Sequence, residues 1–498
     1  MTRPPLALGA VVLALALGTG AVSAVGTPGP SQGGGRDVEV LGATAVCPDV
    51  RQVAGVYQTR VSVGSAPLPA GRTATGGSIV STVVQDPGPP TTVPIEAPGQ
   101  VAVGLATRIP RNGVVVSATG ALATGLEVEQ VARANDGPFR GLAGLRCEAP
   151  KRDAWFIGAS TRVIDTSMLV LANVDDTPST VDVTAFGRQA AVDPRPGQGL
   201  TVRPHSRLRI PLDVLAPDQD FLAVRVLSRQ GRVVAALSDA RYVGGKPLGF
   251  DYVPQALPPA RTVVVPGLPQ GPGVRGLLVG NPTDDDTTVS VQVTLNDGQF
   301  VPSGMAEIGV AAHRTTLIDL SAVTARSPVT VTVTSSGPPV VAGGYLVEAQ
   351  QFQPGGIREM AFAGSSSPLS GSALLTDLVI NRPTESTLLL SAPADAATVV
   401  VTPISVLGVP GSPPRPRTVE IPAGRTVLVR LSTFFPPGTS AQLALEVRPG
   451  ADSGPVYASR YLRERGGRGP LATLLTLQGP AQLVARPVAV QDDGAGYP

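Results

Sequence analysis

The residues able to do chemistry are few, and their spacing works against an active site. The chain of 498 residues has two histidines, His205 and His313. Each precedes an apolar strand at the same place in a repeated unit, where a third unit has Gly424. A position that accepts glycine calls for a turn, not a proton carrier. Two histidines a repeat apart build neither a Ser-His-Asp triad nor a zinc site. Asp175-Asp176 and Asp284-Asp285-Asp286 share one inter-strand turn. They read as turn formers, with calcium as the alternative, since calcium needs six to eight oxygens. Gly271-Pro272-Gly273-Val274-Arg275-Gly276 matches a dinucleotide fingerprint in letters only. It leads into a strand, so the helix N-terminus that would hold a phosphate is missing. Arg460, Arg463, Arg465 and Arg468 crowd one hairpin, RYLRERGGRG. They are the candidate contact for an anionic cell-wall polymer or a partner. Thus no catalytic residue, cofactor site or metal site is expected, and the chain reads as a non-enzyme.

Two cysteines, Cys47 and Cys147, are the whole complement. In an exported chain an even, minimal count reads as one disulfide, here within one unit. Export is expected from the N-terminus. Arg3 supplies positive charge, residues 6–22 (LALGAVVLALALGTGAV) are apolar, and Val22-Ser23-Ala24 offers small residues for cleavage. An uncleaved anchor is the alternative, as the stretch is just long enough to span a bilayer. Both place the rest outside the cytoplasm, secreted or anchored at the cell envelope. Membrane contact is expected only through this segment.

The elements that must position these residues are strands. With 58 Gly and 51 Pro between short Val/Thr runs, the composition suits many strands joined by tight turns. The net charge of +2 gives no field to draw nucleic acid. No small-molecule substrate is evident. Arg outnumbers Lys heavily, which together with the abundant Ala and Gly suggests a GC-rich genome.

MLVLANVDDTPSTVDVTAFG begins at Met168, GLLVGNPTDDDTTVSVQVTLNDG at Gly276 and STLLLSAPADAATVVVTPISVLG at Ser386, roughly 110 residues apart. Each has an apolar strand, a polar turn and a second strand with clean alternation. A repeat this long is a domain copied in tandem. Eight short strands per repeat read as an immunoglobulin-like antiparallel β-sandwich. The alternative is one β-propeller made of the whole chain. The expected plan is a signal segment at 1–24, a flexible spacer at 25–36 and a divergent disulfide-bearing sandwich at 37–150. Repeats follow at 151–258, 259–367 and 368–485, then a strand end and tail at 486–498. Short linkers predict a stiff rod or compact arc.

DAWFIGASTRVIDTSMLVLANVDDTPSTVDVTAFG, with its Trp-Phe, Gly-containing turn, Leu-rich strand, Asn and Thr-Val strand, carries a resemblance. GLLVGNPTDDDTTVSVQV repeats it in Asn-Pro form. The chain resembles a family of actinobacterial secreted or envelope-anchored proteins of uncharacterised function. The third repeat departs from it, with Ala392-Pro393 in place of Asn-Pro. The resemblance implies no catalytic residue. The function expected is a structural or interaction scaffold of the envelope. A binding module for envelope glycan, or an accessory subunit of cell-wall or glycan assembly enzymes, is the alternative.

Overall fold

In a computed structural model the described residues are 36–47, 58–68, 76–85, 87–104, 113–189, 192–348, 358–381, 383–466, 469–479 and 483–486. The leader, spacer residues 25–35, Arg468 and the tail from residue 487 lie outside them. The chain divides into two units. In one, Arg36–Glu39 pairs antiparallel with Leu483–Arg486. The other, Val40–Gln482, holds four tandem antiparallel β-sandwiches, here I to IV.

All four share one topology. In sandwich II the eight principal strands are Asp153–Ala159, Thr166–Asn173, Ser179–Phe186, Leu200–Val202, Ser206–Pro211, Leu222–Gln230, Val234–Val243 and Lys246–Val253. One sheet runs fourth-third-sixth-first, and the facing sheet fifth-second-seventh-eighth. Sandwich I, the divergent one in sequence, has the same two orders. Alternation explains the third strands. Val181 and Val183 of II, Val289, Val291 and Val293 of III, and Val399 and Val401 of IV point inward and are buried. Their polar neighbours face out, as a half-buried strand requires. Full burial of each such side chain contributes about 1.5–3 kcal/mol.

The seventh and eighth strands do not alternate. Val341–Glu348 and Glu359–Gly364 are buried along their whole length. One face meets their own core, and the other meets neighbouring sandwiches. The eighth strands contact one another in a cycle. Gly141–Arg146 meets Lys246–Val253, which meets Glu359–Gly364, which meets Gly469–Thr476, which returns to Gly141–Arg146. The expected rod or arc is therefore replaced, within this unit, by a closed ring. Small residues permit it. A Cβ at Gly141 would lie 2.3 Å from the Phe250 carbonyl oxygen, and one at Gly249 would lie 2.6 Å from the Met360 nitrogen. Only glycine lets backbones approach so closely.

Candidate functional site

Strand geometry distributes the residues singled out by type. His205 and His313 have φ of 44° and 54°, and Gly424 has φ of 70°, so all three serve one left-handed turn. His205 Nε2 lies 2.7 Å from Asp176 Oδ1, and His313 Nε2 lies 2.8 Å from Asp284 Oδ1. Two more acids of these turns are held by neighbouring turns. Arg232 donates twice to Asp175 at 2.8 and 3.0 Å, and the Ala312 N–H donates to Asp286 at 2.8 Å. These carboxylates thus bond to neighbouring turns of the same sandwich rather than converging on a cation. Among the described residues no cluster of three or more His, Cys, Asp or Glu forms a metal cage. The Gly271–Gly276 loop wraps its own arginine. Arg275 is fully buried, donates to the carbonyls of Pro269 at 2.9 Å and Val347 at 3.1 Å, and pairs with Glu348.

The arginine hairpin is not one exposed surface. Side chains alternate along Tyr457–Gly466, so neighbouring positions face opposite ways. Arg460 is buried between IV and I. Its Nε donates to Ser386 Oγ at 3.0 Å and its Nη2 to the Asp377 carbonyl at 2.6 Å, while Nη1 lies 3.9 Å from Glu129 Oε2. Arg463 faces III, with Nη2 3.9 Å from Glu348 Oε2. Arg465 is exposed. The expectation of a shared anion surface fails for Arg460, because its guanidinium is taken up inside a seam. Cys47 and Cys147 are bonded and buried, tying the first strand of I, Gly42–Cys47, to the segment after its eighth.

The densest polar site was not singled out from sequence. It lies where the eighth strands meet. Asp251 of II is fully buried. Its carboxylate accepts the Tyr252 N–H at 2.8 Å, the Gly144 N–H of I at 3.2 Å and the Thr473 hydroxyl of IV at 3.0 Å. The Phe362 N–H of III also donates to it. One carboxylate therefore gathers donors from all four sandwiches. Next to it, Glu359 of III accepts the Met360 N–H at 3.1 Å and lies 3.6 Å from Arg140 of I. Arg140 also donates to the carbonyls of Arg358 at 3.2 Å and Pro470 at 2.7 Å, joining I to III and IV.

Burial governs the charges here. It pushes the Asp251 and Glu359 carboxyls well above the usual carboxylate range, against the donors that surround them. At the seam between IV and I burial raises Glu127 to about 7, although Arg146 grips it at 2.6 and 2.8 Å. Burial also raises Glu129, opposed by Arg460 and by the Thr376 N–H and hydroxyl at 2.9 Å each. Perturbed carboxyls often mark active sites, but a catalytic group must reach a substrate. A cavity of about 30 Å³, lined by Arg146, Gln255 and Gln478 among others, adjoins the hub. That is room for about one water. The hub's chemistry is cohesion: its donors lock four domains in register. Its sequence signal was an acid inside an apolar run, as in LGFDYV and EMAFAG.

Sandwich IV carries a larger concavity, a groove of about 640 Å³ lined by Ile380, Val406, Phe435, Ser440 and Gln442 among others. This is within the size range of ligand sites.

Among curated proteins none matches the chain. Its residues 100–432, from sandwich I into sandwich IV, match DUF5719. The chain therefore belongs to DUF5719, a family of unknown function.

Proposed function

We propose that the protein is a non-catalytic interaction scaffold of the cell envelope, acting outside the cytoplasm. One observation carries the reading. Two buried carboxyls pushed well above their usual range, Asp251 and Glu359, meet neighbouring sandwiches rather than a cleft. A chain that commits its buried polar groups to holding four domains in a ring presents a rigid surface to partners. The buried disulfide fits an oxidising compartment, which agrees with an exported chain. The partner in this reading is an envelope protein; an accessory subunit of wall or glycan assembly enzymes is the alternative. An actinobacterial source is part of the same reading, supported by the Arg-rich, Lys-poor composition. The anionic-polymer alternative has lost Arg460 to a seam.

Envelope fractionation, N-terminal sequencing and crosslinking of the intact protein test it. The expected result is a mature chain beginning near Val25, or an intact membrane-held chain, crosslinked to an envelope protein. An intact chain confined to the cytosol refutes the reading.

A further inference from the structure

Three loops at one end of sandwich II are tied into a platform. They are residues 160–165 between its first two strands, residues 212–221 after its fifth, and the turn at Gly244-Gly245 between its seventh and eighth. Their strands lie side by side, with Met168 opposite Pro211 and Thr166 opposite Ala240. The Thr161 N–H donates to the Gln219 carbonyl at 2.7 Å, and the Asp218 N–H donates back to the Thr161 carbonyl at 3.2 Å. Buried Asp165 accepts the Ser160 hydroxyl at 2.6 Å and the Tyr242 N–H at 3.1 Å. Asp218 and Phe221 are held at φ of 50° and 54°, a strained geometry that such bonds sustain.

The platform displays apolar side chains to solvent. Val163 is 91% exposed, Val214 66%, Ile164 52% and Val243 50%. The fold does not require them. Where II has Val163-Ile164, III has Gln270-Gly271-Pro272, and Val214 is replaced by Ala322 in III and Thr433 in IV. Locked loops cannot fold these tips away, so they stay exposed until something covers them.

Two features select the cover. The tips are aliphatic, without the Trp or Tyr anchors that dominate protein contacts, and Val and Ile need no directional partner. Cations stand on the hairpins beside them. Lys246 lies opposite Val243. Tyr242 donates to the Pro138 carbonyl of I, and nearby Arg140 bonds to the carbonyls of Arg358 in III and Pro470 in IV, with Arg465 opposite Pro470. Lys246, Arg358 and Arg465 are exposed and make no ion pair among the described residues. Asp136, Asp213 and Asp218 are exposed at the same end and oppose them, so long-range attraction is small and contact must be made at close range.

We infer that this end of the ring binds a phospholipid bilayer. The four aliphatic tips enter the acyl boundary, and Lys246, Arg358 and Arg465 meet headgroup phosphates. Membrane contact is then not confined to the leader. The inference goes beyond the scaffold reading and uses it only for where a bilayer is met.

The test is co-sedimentation with vesicles of phosphatidylcholine and phosphatidylglycerol in equal parts. The chain from Val25 is used, which keeps every described residue and removes the leader's own affinity for lipid. It is expected to sediment with the vesicles. Val163→Asp with Ile164→Asp should weaken binding at least about tenfold, with the thermal midpoint unchanged because both side chains are exposed. Lys246→Glu, Arg358→Glu and Arg465→Glu together should also weaken it at least about tenfold. No sedimentation, or binding that survives either variant, would overturn the assignment. So would a dimer that forms without vesicles and is dissolved by the Asp substitutions, since a second copy would then cover the tips. Crosslinking to envelope protein is read separately, so the scaffold reading can stand where lipid contact fails.

Discussion

The seam between II and III and the seam between IV and I solve one packing problem differently. II and III share a core. Leu278, Val341, Tyr345, Met360 and Phe362 of III belong to the apolar cluster of II. Trp155, Phe186 and His313 stack in series across this seam at 6.0 and 6.1 Å. A buried cation there, Arg241, is paired inside II with Asp239 at 2.6 Å. Its guanidinium also reaches across, lying 4.8 Å from the Tyr345 ring and 5.6 Å from Phe362 and hydrogen-bonding the Tyr345 side chain. Between IV and I the apolar patches are small, such as Val131 and Leu142 with Leu462 and Leu471. Ions pair across the seam instead: Arg60 with Asp377 at 2.9 Å, Arg133 with Glu464 at 2.6 Å, Arg460 with Glu129 at 3.9 Å. The difference follows chain connectivity. II runs directly into III, so apolar burial suffices once the linker has set the approach. I and IV are distant in sequence, and their meeting must find its own register. Directional charge pairs specify register better than apolar contact, at a desolvation cost.

The largest effects should come from breaking either seam. Phe362→Ala and Arg460→Ala should each cost about 3–5 kcal/mol in denaturant unfolding, the first through a cavity, the second by stranding buried carboxylates. The seams should then part. Arg460→Leu combined with Glu129→Leu should recover most of the loss, since no charge is left stranded. A double variant as unstable as Arg460→Ala would show that the pair itself holds the ring shut.

Opening the disulfide comes next. Cys47→Ser with Cys147→Ser should cost about 2–4 kcal/mol in unfolding of sandwich I. Hydrogen exchange should rise in I and at its seam with IV before it rises between II and III.

A smaller effect concerns pH. Glu127 has a folded pKa raised from 4.5 to about 7. A raised folded value means its contribution is fully present below pH 4.5 and lost as pH rises through 7. Stability should fall by up to about 1.4 kcal/mol per pH unit across that window. Glu127→Gln should flatten the slope; an unchanged slope assigns the pH dependence to other carboxyls, such as Asp251.

The smallest effect lies at the His205 turn. His205→Gly should alter the unfolding midpoint by no more than about 1 kcal/mol in either direction, because relief of positive φ opposes loss of the Asp176 contact. A larger loss would give the His–Asp pair a structural weight that Gly424 in IV argues against.

Much of the fold was legible in the residues. Alternation in STVDVTAF and TVSVQVT marks strands with one wet face, and the Asn and Asp between them mark turns. The His/Gly equivalence at 205, 313 and 424 marked a turn, which the structure shows to be left-handed. Arg460 was misplaced for a physical reason. Charge on a hairpin suggests solvent, but period two sends alternate arginines to opposite faces, and both faces here meet another domain. The same blindness hid Asp251 and Glu359, whose donors come from sandwiches widely separated along the chain.

Sequence by itself determined what each repeat is: local propensity, period-two patterning and turn chemistry act over a few residues and need no partner. It also determined the material for one disulfide. Tertiary structure alone decided that the four sandwiches close on themselves. Closure depends on what faces the outer side of the seventh and eighth strands. A run of small and apolar residues with a single acid is equally consistent with a lone buried strand. Only when Gly141, Gly249 and their counterparts let four backbones meet does that acid become the point they share.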